Sequence, residues 1–240
     1  MMILWWLVGL CLAAALIYST LILGEGTYFG RLVVRWIYSR GAAIYDRVRQ
    51  PVTASDAALL VPPLRSALLH APLAPALDVA TGTGRVALLL AAEPWYSGAI
   101  VGLDLTPAML AIARQKAVAA GVAERIEWLI GSGDRLQQWP APRFGLVTCL
   151  EALEYFPRPR RAIAEMWRVL IPGGTLMIST WTPRYARWLP GKAWTAVKLV
   201  GMLHGLGAEA IETRPWQAGQ YDLVLARKPK DTDPAPALPH

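Results

Sequence analysis

Apolar runs short enough for strands alternate with longer runs typical of helices through the middle of the chain. Residues 76–79 form an apolar run that enters a turn containing Gly82 and Gly84, and a helical run follows the turn. A second apolar run covers residues 99–104 and ends in Asp104. This order of strand, glycine turn, helix and strand predicts a βαβ unit with an acidic residue at the end of its second strand.

The residues around this turn indicate which ligand the unit binds. Glycine at 82 and 84 permits a positive φ and lets a ligand lie against the backbone, and the Asp104 carboxylate can accept both hydroxyls of a ribose. Ala87 is tolerated as the third glycine of a dinucleotide-binding turn, so a nicotinamide oxidoreductase is one interpretation. Asp78, however, places an anion directly before the turn, which disfavours a pyrophosphate and favours a cation such as a sulfonium.

Several segments carry a resemblance to one enzyme family. Residues 78–84, D-V-A-T-G-T-G, resemble motif I of the class I S-adenosylmethionine-dependent methyltransferases, (D/E)-x-G-x-G-x-G, with Ala80 in place of the first glycine. D-L-T-P-A-M-L at 104–110 and R-V-L-I-P-G-G-T-L at 168–176 are similar to later motifs of that family and its quinone-biosynthesis type. The resemblance extends over about residues 74–229.

The resemblance implies an α/β fold with a Rossmann-like, seven-stranded, mostly parallel sheet, helices on both faces and a last antiparallel strand at about 221–229. It also implies S-adenosylmethionine as cofactor. Ser132 takes the place of the aspartate that usually holds the adenine amino group, and Asp134 is the alternative. The cofactor-binding residues that it implies are Asp78, Ala80, Gly82, Gly84, Asp104, Leu105, Met109, Ser132, Gly133, Asp134 and Leu150. No cysteine and histidine cluster has metal-ligand spacing, so no metal site is predicted.

Catalysis of methyl transfer needs positioning more than a particular side chain, because the reaction is an in-line displacement in which the sulfonium loses its charge. A base helps where the acceptor is a phenol or an enol. The loop after the predicted fourth strand offers Tyr155 and Glu151 as catalytic candidates. A glutamate in this loop could instead orient the ligand or cap a helix.

The N-terminus predicts a transmembrane anchor. Residues 1–23 contain no charged side chain, and at about 1.5 Å per residue they would span the roughly 30 Å hydrocarbon core of a bilayer. A cleaved signal peptide is the rival interpretation, but no basic residue precedes the apolar run. The arginines that follow predict a single-pass protein with the N-terminus outside and the catalytic domain in the cytoplasm. They are Arg31, Arg35, Arg40, Arg47 and Arg49.

The remaining segments extend this picture. Residues 24–73 are basic and aromatic, and we expect helices there that lie along a membrane surface or cover the active site through Ile44, Tyr45 and Asp46. Residues 181–203 mix basic, aromatic and apolar side chains, which favours a membrane interface, while the family resemblance implies a part in shaping the acceptor pocket. The tail at 230–240 is rich in proline and aspartate and is expected to be disordered. A net charge of +7 favours anionic lipid as a partner. The sequence contains no recognisable nucleic-acid-binding motif, so no nucleic-acid partner is predicted.

These observations predict a membrane-anchored methyltransferase acting on a small, lipophilic acceptor such as a quinone precursor, an isoprenoid or a phospholipid headgroup. A soluble metabolite or a protein remains possible as acceptor. The alternative class is a non-catalytic subunit that binds the cofactor. Three departures from the family pattern keep that alternative open: Ala80, Ser132 and Gly145.

Overall fold

The computed structural model of the 240-residue chain describes residues 5–11, 24–69 and 71–230. Seven strands form one sheet in the order β3-β2-β1-β4-β5-β7-β6. The strands are β1 Ala76–Val79, β2 Ile100–Asp104, β3 Ile126–Ile130, β4 Phe144–Cys149, β5 Leu170–Trp181, β6 Glu209–Trp216 and β7 Tyr221–Arg227. The main helices are α1 Arg31–Thr53, α2 Asp56–Leu68, α3 Arg85–Ala92, α4 Pro107–Ala119, α5 Pro159–Arg168, α6 Pro183–Ala186 and α7 Ala196–Gly205.

The strand directions place a crevice at the centre of the sheet. β1 pairs in parallel with β2 on one side and β4 on the other, so the strand order reverses at β1 and β4. β7 is antiparallel to both β5 and β6. In open α/β sheets ligands bind at the carboxyl ends of the strands where the order reverses. The predicted seven-stranded, mostly parallel sheet with a last antiparallel strand is therefore confirmed.

Helices cover both faces of the sheet, as the long apolar strands require. On one face, β-strand side chains such as Leu77 pack with α5 and α7. On the other face, Ala76 and its neighbours pack with α2 and α3, whose buried residues include Leu64 and Leu90. All four residues of β1 are buried, which holds the end of this strand rigidly at the crevice.

Strand β5 begins at Leu170 and continues through Pro172, Gly173 and Gly174 to Trp181. Phe144 pairs with Leu170, but Leu146 pairs with Thr175, so the register shifts between them. The extra residues form an irregularity in the strand rather than a separate turn, as β-bulges do.

Helix α1 lies over the carboxyl edge of the sheet. Asp46 of α1 accepts a hydrogen bond from Thr83 at 2.6 Å and binds Lys116 of α4 at 2.9 Å. Arg49 pairs with Glu151, which follows β4. The segment 24–73 therefore contains a helix whose side chains contact the glycine turn, α4 and the loop after β4.

The predicted membrane anchor is not supported. Residues 1–4 and 12–23 lie outside the described part of the chain, and the described residues 5–11 form less than two turns of exposed helix. Among the described residues, no helix has both the length and the apolar character needed to cross a bilayer. Helix α1 has 23 residues but carries five arginines. This finding contradicts the single-pass topology with an outside N-terminus and a cytoplasmic domain, and that prediction is withdrawn. The tail at 231–240 also lies outside the described residues.

Candidate functional site

The glycine turn after β1 has the left-handed backbone that the sequence predicts there. Ala80, Gly82 and Gly84 have φ values of 56°, 55° and 86°. A Cβ on Gly82 would meet open space, so this residue leaves room for a ligand. A Cβ on Gly84 would lie 2.7 Å from the ring of Trp128, so Gly84 is needed for packing against β3.

Asp78 lies below the turn, and each of its two carboxylate oxygens accepts a hydrogen bond from a hydroxyl group. Thr81 donates to one oxygen and Thr148 of β4 to the other, both at 2.6 Å. Burial raises the pKa of Asp78, and these two hydrogen bonds oppose the rise. The carboxylate thus fixes the turn to β4 and supplies a negative charge at the carboxyl edge.

Asp104 stands at the end of β2 with its carboxylate toward the turn. It accepts the backbone N–H of Gly82 at 2.9 Å and of Thr106 at 2.7 Å. Burial raises its pKa, and the two N–H groups oppose this. Each carboxylate oxygen keeps a further lone pair. A ribose diol could therefore bind to Asp104 without displacing either backbone contact.

A first cavity, the edge pocket, lies beside Asp104. Of the predicted cofactor residues, its walls contain Ala80, Gly82, Asp104, Leu105, Met109, Ser132, Gly133 and Leu150. Asp134 and Gly84 are not on its walls. The Ser132 hydroxyl donates to Asp134 at 2.7 Å, and Arg158 lies 3.5 Å from the same carboxylate. Ser132 therefore faces the pocket and Asp134 supports it from behind.

The edge pocket is narrow because α1 closes it. Tyr38 and Tyr45 of α1 form part of its wall, and its volume is about 110 Å³. Cavities that hold drug-sized ligands measure roughly 300–1,000 Å³. The edge pocket alone is therefore smaller than such a cavity, and α1 limits its size.

A second cavity, the α3 groove, continues from the same turn and measures about 490 Å³. It shares Tyr45, Ala80, Gly82, Leu150 and Glu151 with the edge pocket. Asp78 lies at its inner end, and the groove then runs between α3 and the helices α1 and α2. Its walls include the apolar Ala54, Ala57, Leu88, Leu89 and Ala92 together with the polar Gln50, Thr53 and Asp56. None of residues 181–203, all of which the structure describes, lines either cavity.

Glu151, a predicted catalytic residue, is held in an ion-pair network. Its carboxylate pairs with Arg49 and with Arg85, the latter at 2.7 Å, and accepts a hydrogen bond from Gln217 at 2.6 Å. Arg85 also lies 3.3 Å from the buried Asp56. With two guanidinium partners and Gln217, Glu151 fixes the wall between the two cavities.

Tyr155, the other catalytic candidate, lines the edge pocket and donates its hydroxyl to Glu25. Tyr38 donates to the same carboxylate oxygen. Burial, followed by the nearby Tyr38 and the Glu25 charge, raises the pKa of Tyr155 well above 10. Its phenol keeps its proton at neutral pH, so Tyr155 can orient a ligand but is not a ready base.

The sequence reasoning missed three members of the site. Glu25, Arg85 and Gln217 carry no family signal, and only the folded chain brings them to the carboxyl edge. Arg49 entered the sequence argument only as part of a basic flank. Arg85 had one usable sign, since it directly follows the glycine turn and begins α3.

Two of the departures from the family pattern have structural explanations. A Cβ on Gly145 would lie 2.6 Å from that of Ala74, so a glycine is required there by close packing. Gly145 is also near the start of β4, at the edge of the sheet opposite the cavities. Ala80 adopts the left-handed conformation at φ 56°, which costs more than glycine but leaves the turn intact.

A protein-family model matches the central part of this chain. Residues 77–178, from β1 into β5, match the model of a methyltransferase domain, Methyltransf_11. These residues are similar to that domain. The resemblance to class I methyltransferases, first drawn from the motifs, is confirmed, and the family implies S-adenosylmethionine as the methyl donor.

Two sequence relatives have names that refer to quinones. The demethylmenaquinone methyltransferase of Deinococcus radiodurans is 43% identical over 118 residues, which are 49% of this chain and 46% of that one. The ubiquinone/menaquinone biosynthesis C-methyltransferase UbiE of Roseobacter denitrificans is 32% identical over 154 residues, 64% of this chain and 60% of that one. The chain thus spans only about half of the length of these relatives.

Solved structures agree on the fold. An O-methyltransferase family protein from Burkholderia thailandensis has a TM-score of 0.60 and 19% identity, covering 87% of this chain and 63% of the other. The [4+2]-cyclase SpnF also has a TM-score of 0.60, with 22% identity, covering 71% of this chain and 80% of the other. At such identities the likeness shows the fold alone, and the cyclase illustrates that one fold carries several reactions.

Proposed function

We propose that this chain transfers a methyl group from S-adenosylmethionine to a small, lipophilic acceptor. The observation that carries the proposal is the junction of the two cavities. The edge pocket, with Asp104 on its wall, meets the α3 groove at Ala80, Gly82, Leu150 and Glu151. A nucleoside cofactor and an apolar acceptor would meet at that junction.

The residues present fit this cofactor. Asp104 has free lone pairs for a ribose diol, Gly82 leaves open space above the turn, and Ser132 offers a hydroxyl oxygen to an adenine amino group. When bound, S-adenosylmethionine supplies an electrophilic methyl group on a positively charged sulfur. The buried carboxylate of Asp78, at the inner end of the groove, favours such a cation near the turn.

The chain contributes positioning and exclusion of water. Glu151, Arg49 and Arg85 fix the wall at the junction, and α1 covers it with Tyr45. A helix that covers the cofactor and the acceptor raises the rate of methyl transfer in two ways. It holds the two reactants in line, and it keeps water out of the site. Tyr155 keeps its proton on the phenol oxygen and holds the loop through Glu25.

The α3 groove supports the lipophilic character of the acceptor. Its walls carry Leu88 and Leu89 with three alanines, beside the polar Gln50, Thr53 and Asp56. An acceptor that has both an apolar part and a polar group fits this mixture. The two sequence relatives are named for quinone biosynthesis, which supports the same substrate class.

The test supplies methyl-labelled S-adenosylmethionine together with either a lipid extract or a water-soluble extract of cells. We expect label in the lipid fraction. Leu89→Trp should fill the groove and raise the KM for the labelled acceptor several-fold while cofactor affinity stays constant. Val118→Trp, on the exposed side of α4, is the matched control and should change neither.

Other outcomes would contradict parts of the proposal. Label only in the water-soluble fraction would replace the lipophilic acceptor by a soluble one. A protein that binds the cofactor but labels nothing in either extract would favour the non-catalytic binding subunit.

A further inference from the structure

Helix α1 has an outer face whose composition differs from an ordinary solvated helix. Leu32, Trp36, Ile44 and Val48 are four or eight residues apart, so they follow a ridge that turns by about 40° around the helix axis for every four residues. They are 75%, 57%, 53% and 65% exposed, respectively. The opposite face, which includes Val34 and Ala42, is buried against the body of the protein.

The charges on this outer face all have the same sign. Arg40 and Arg47 are exposed on it, and neither has a carboxylate within ion-pair distance among the described residues. Arg40 lies 4.6 Å from the centre of the Trp36 ring, a cation–π pair. The face therefore presents apolar side chains and unbalanced positive charge together.

The segments around Tyr28 and Trp188, which lie beside the start of α1, also expose aromatic and basic side chains. The hydroxyl of Tyr28, just before α1, donates to the carbonyl oxygen of Pro190 at 3.2 Å. This contact brings the start of α1 beside Arg187 and Trp188, which are both exposed and form another cation–π pair at 5.5 Å. Phe29, 53% exposed, lies in the same turn as Tyr28.

We propose that this outer face of α1, with the segment around Trp188, rests on the surface of an anionic lipid bilayer. Isolated guanidinium groups beside exposed tryptophan and aliphatic side chains match a layer of anionic headgroups over acyl chains. The helix is about 35 Å long, so its outer face offers an extended strip of exposed aromatic, aliphatic and cationic side chains to such a layer. This contact is peripheral, it involves no span, and it goes beyond the proposed methyl transfer.

The experiment measures binding of the full chain to two kinds of vesicle, phosphatidylcholine alone and phosphatidylcholine with about one-third phosphatidylglycerol. We expect preferential binding to the anionic vesicles, weakened by salt because the arginines are exposed. Arg40→Glu with Arg47→Glu should reduce the anionic-vesicle affinity by more than about tenfold. The charge-removing pair Arg40→Gln with Arg47→Gln should give a smaller loss in the same direction.

Arg143→Glu with Arg227→Glu is the matched control. Both arginines are exposed and lie at the start of β4 and the end of β7, on the edge of the sheet opposite α1. This pair changes the net charge equally and should leave most of the vesicle affinity in place.

Three results would overturn the proposal. Equal losses for the two reversed pairs would mean that only net charge matters. Equal binding to neutral and anionic vesicles, unaffected by either pair, would assign the binding to another part of the chain. A dimer of the parent chain that Arg40→Glu with Arg47→Glu dissociates would make the face a contact between two copies.

Discussion

Thr83 in the glycine turn and Asp46 in α1 are joined by a hydrogen bond of 2.6 Å. Lys116 of α4 binds the other oxygen of the same carboxylate at 2.9 Å. These contacts connect the helix that covers the site to the turn that would carry the cofactor. The edge pocket alone, about 110 Å³, is smaller than a cavity that holds a drug-sized ligand, and α1 limits its size.

Asp46→Ala should loosen α1. The Lys116 pair is one-third to one-half exposed and contributes little, so most of the loss comes from the Thr83 hydrogen bond, about 1 kcal/mol. Hydrogen exchange of the backbone amides in 31–53 should accelerate by roughly fivefold, and the cofactor should associate faster. Glu124→Ala, an exposed residue away from α1, is the control. Unchanged exchange in α1 would show that Asp46 does not hold the helix closed.

Glu151→Gln should destabilise the protein by about 2 kcal/mol. Arg49 and Arg85 would lose their shared partner, but both are about one-fifth exposed, which reduces the cost below that of a fully buried pair. Urea unfolding at pH 7 measures the change. Glu212→Gln breaks an exposed pair with Arg214 and should cost less than about 0.5 kcal/mol. If Glu151→Gln lowered the free energy of unfolding as little as Glu212→Gln does, the ion-pair network at Glu151 would not stabilise the protein.

The fold was predictable because its signals are local. Asp78, Gly82 and Asp104 occur at spacings that only a strand, a turn and a second strand can satisfy, and the alternation of elements then fixes a parallel sheet. The structure places each of these residues at the carboxyl edge as expected. Gly84 is also at the turn, but it packs against Trp128 rather than facing a cavity.

The roles of individual charged residues were less predictable, because they depend on contacts between segments far apart in sequence. Glu151 is only a loop glutamate in the sequence, and its two arginine partners come from α1 and α3. The N-terminal prediction failed for a different reason. It rested on the absence of charged residues in 1–23 alone, and no helix among the described residues is long and apolar enough to cross a bilayer.

Tyr155→Phe should lower turnover more than cofactor affinity. The phenol holds the loop at the edge pocket through Glu25, where the methyl donor and the acceptor are expected to meet. Steady-state kinetics and calorimetry separate kcat from Kd. Tyr38→Phe removes the other donor to the same carboxylate and tests whether the effect comes from Glu25 alone. Full turnover by Tyr155→Phe would remove this residue from the mechanism.

Glu154 should make stability depend on pH. Burial raises its pKa to about 7, while the Trp181 indole N–H, which donates at 2.9 Å, partly opposes the rise. The folded state therefore retains a proton that the unfolded chain releases near pH 4.5. Stability from this group is complete below about pH 4.5 and is lost as the pH rises through 7.

Glu154→Gln should remove that dependence, because the neutral amide keeps an oxygen for Trp181. Relative to the parent, the variant should gain up to about 3 kcal/mol between pH 5 and pH 8 in urea unfolding. Glu127→Gln, on the exposed side of β3, should follow the parent at every pH. A parallel pH profile for Glu154→Gln and the parent would refute a raised pKa at this position.

Calorimetric titration of S-adenosylmethionine into the parent and Asp104→Ala tests the central claim most directly. The parent should bind, and Asp104→Ala should lose about 2–4 kcal/mol, or roughly 30- to 1,000-fold in Kd, because two hydrogen bonds to a carboxylate disappear. Asp104→Asn should lie between them, and Glu127→Ala, on the neighbouring strand, should bind as the parent does. Absence of binding by the folded parent, or equal affinity for the parent and Asp104→Ala, would contradict the assignment of this site.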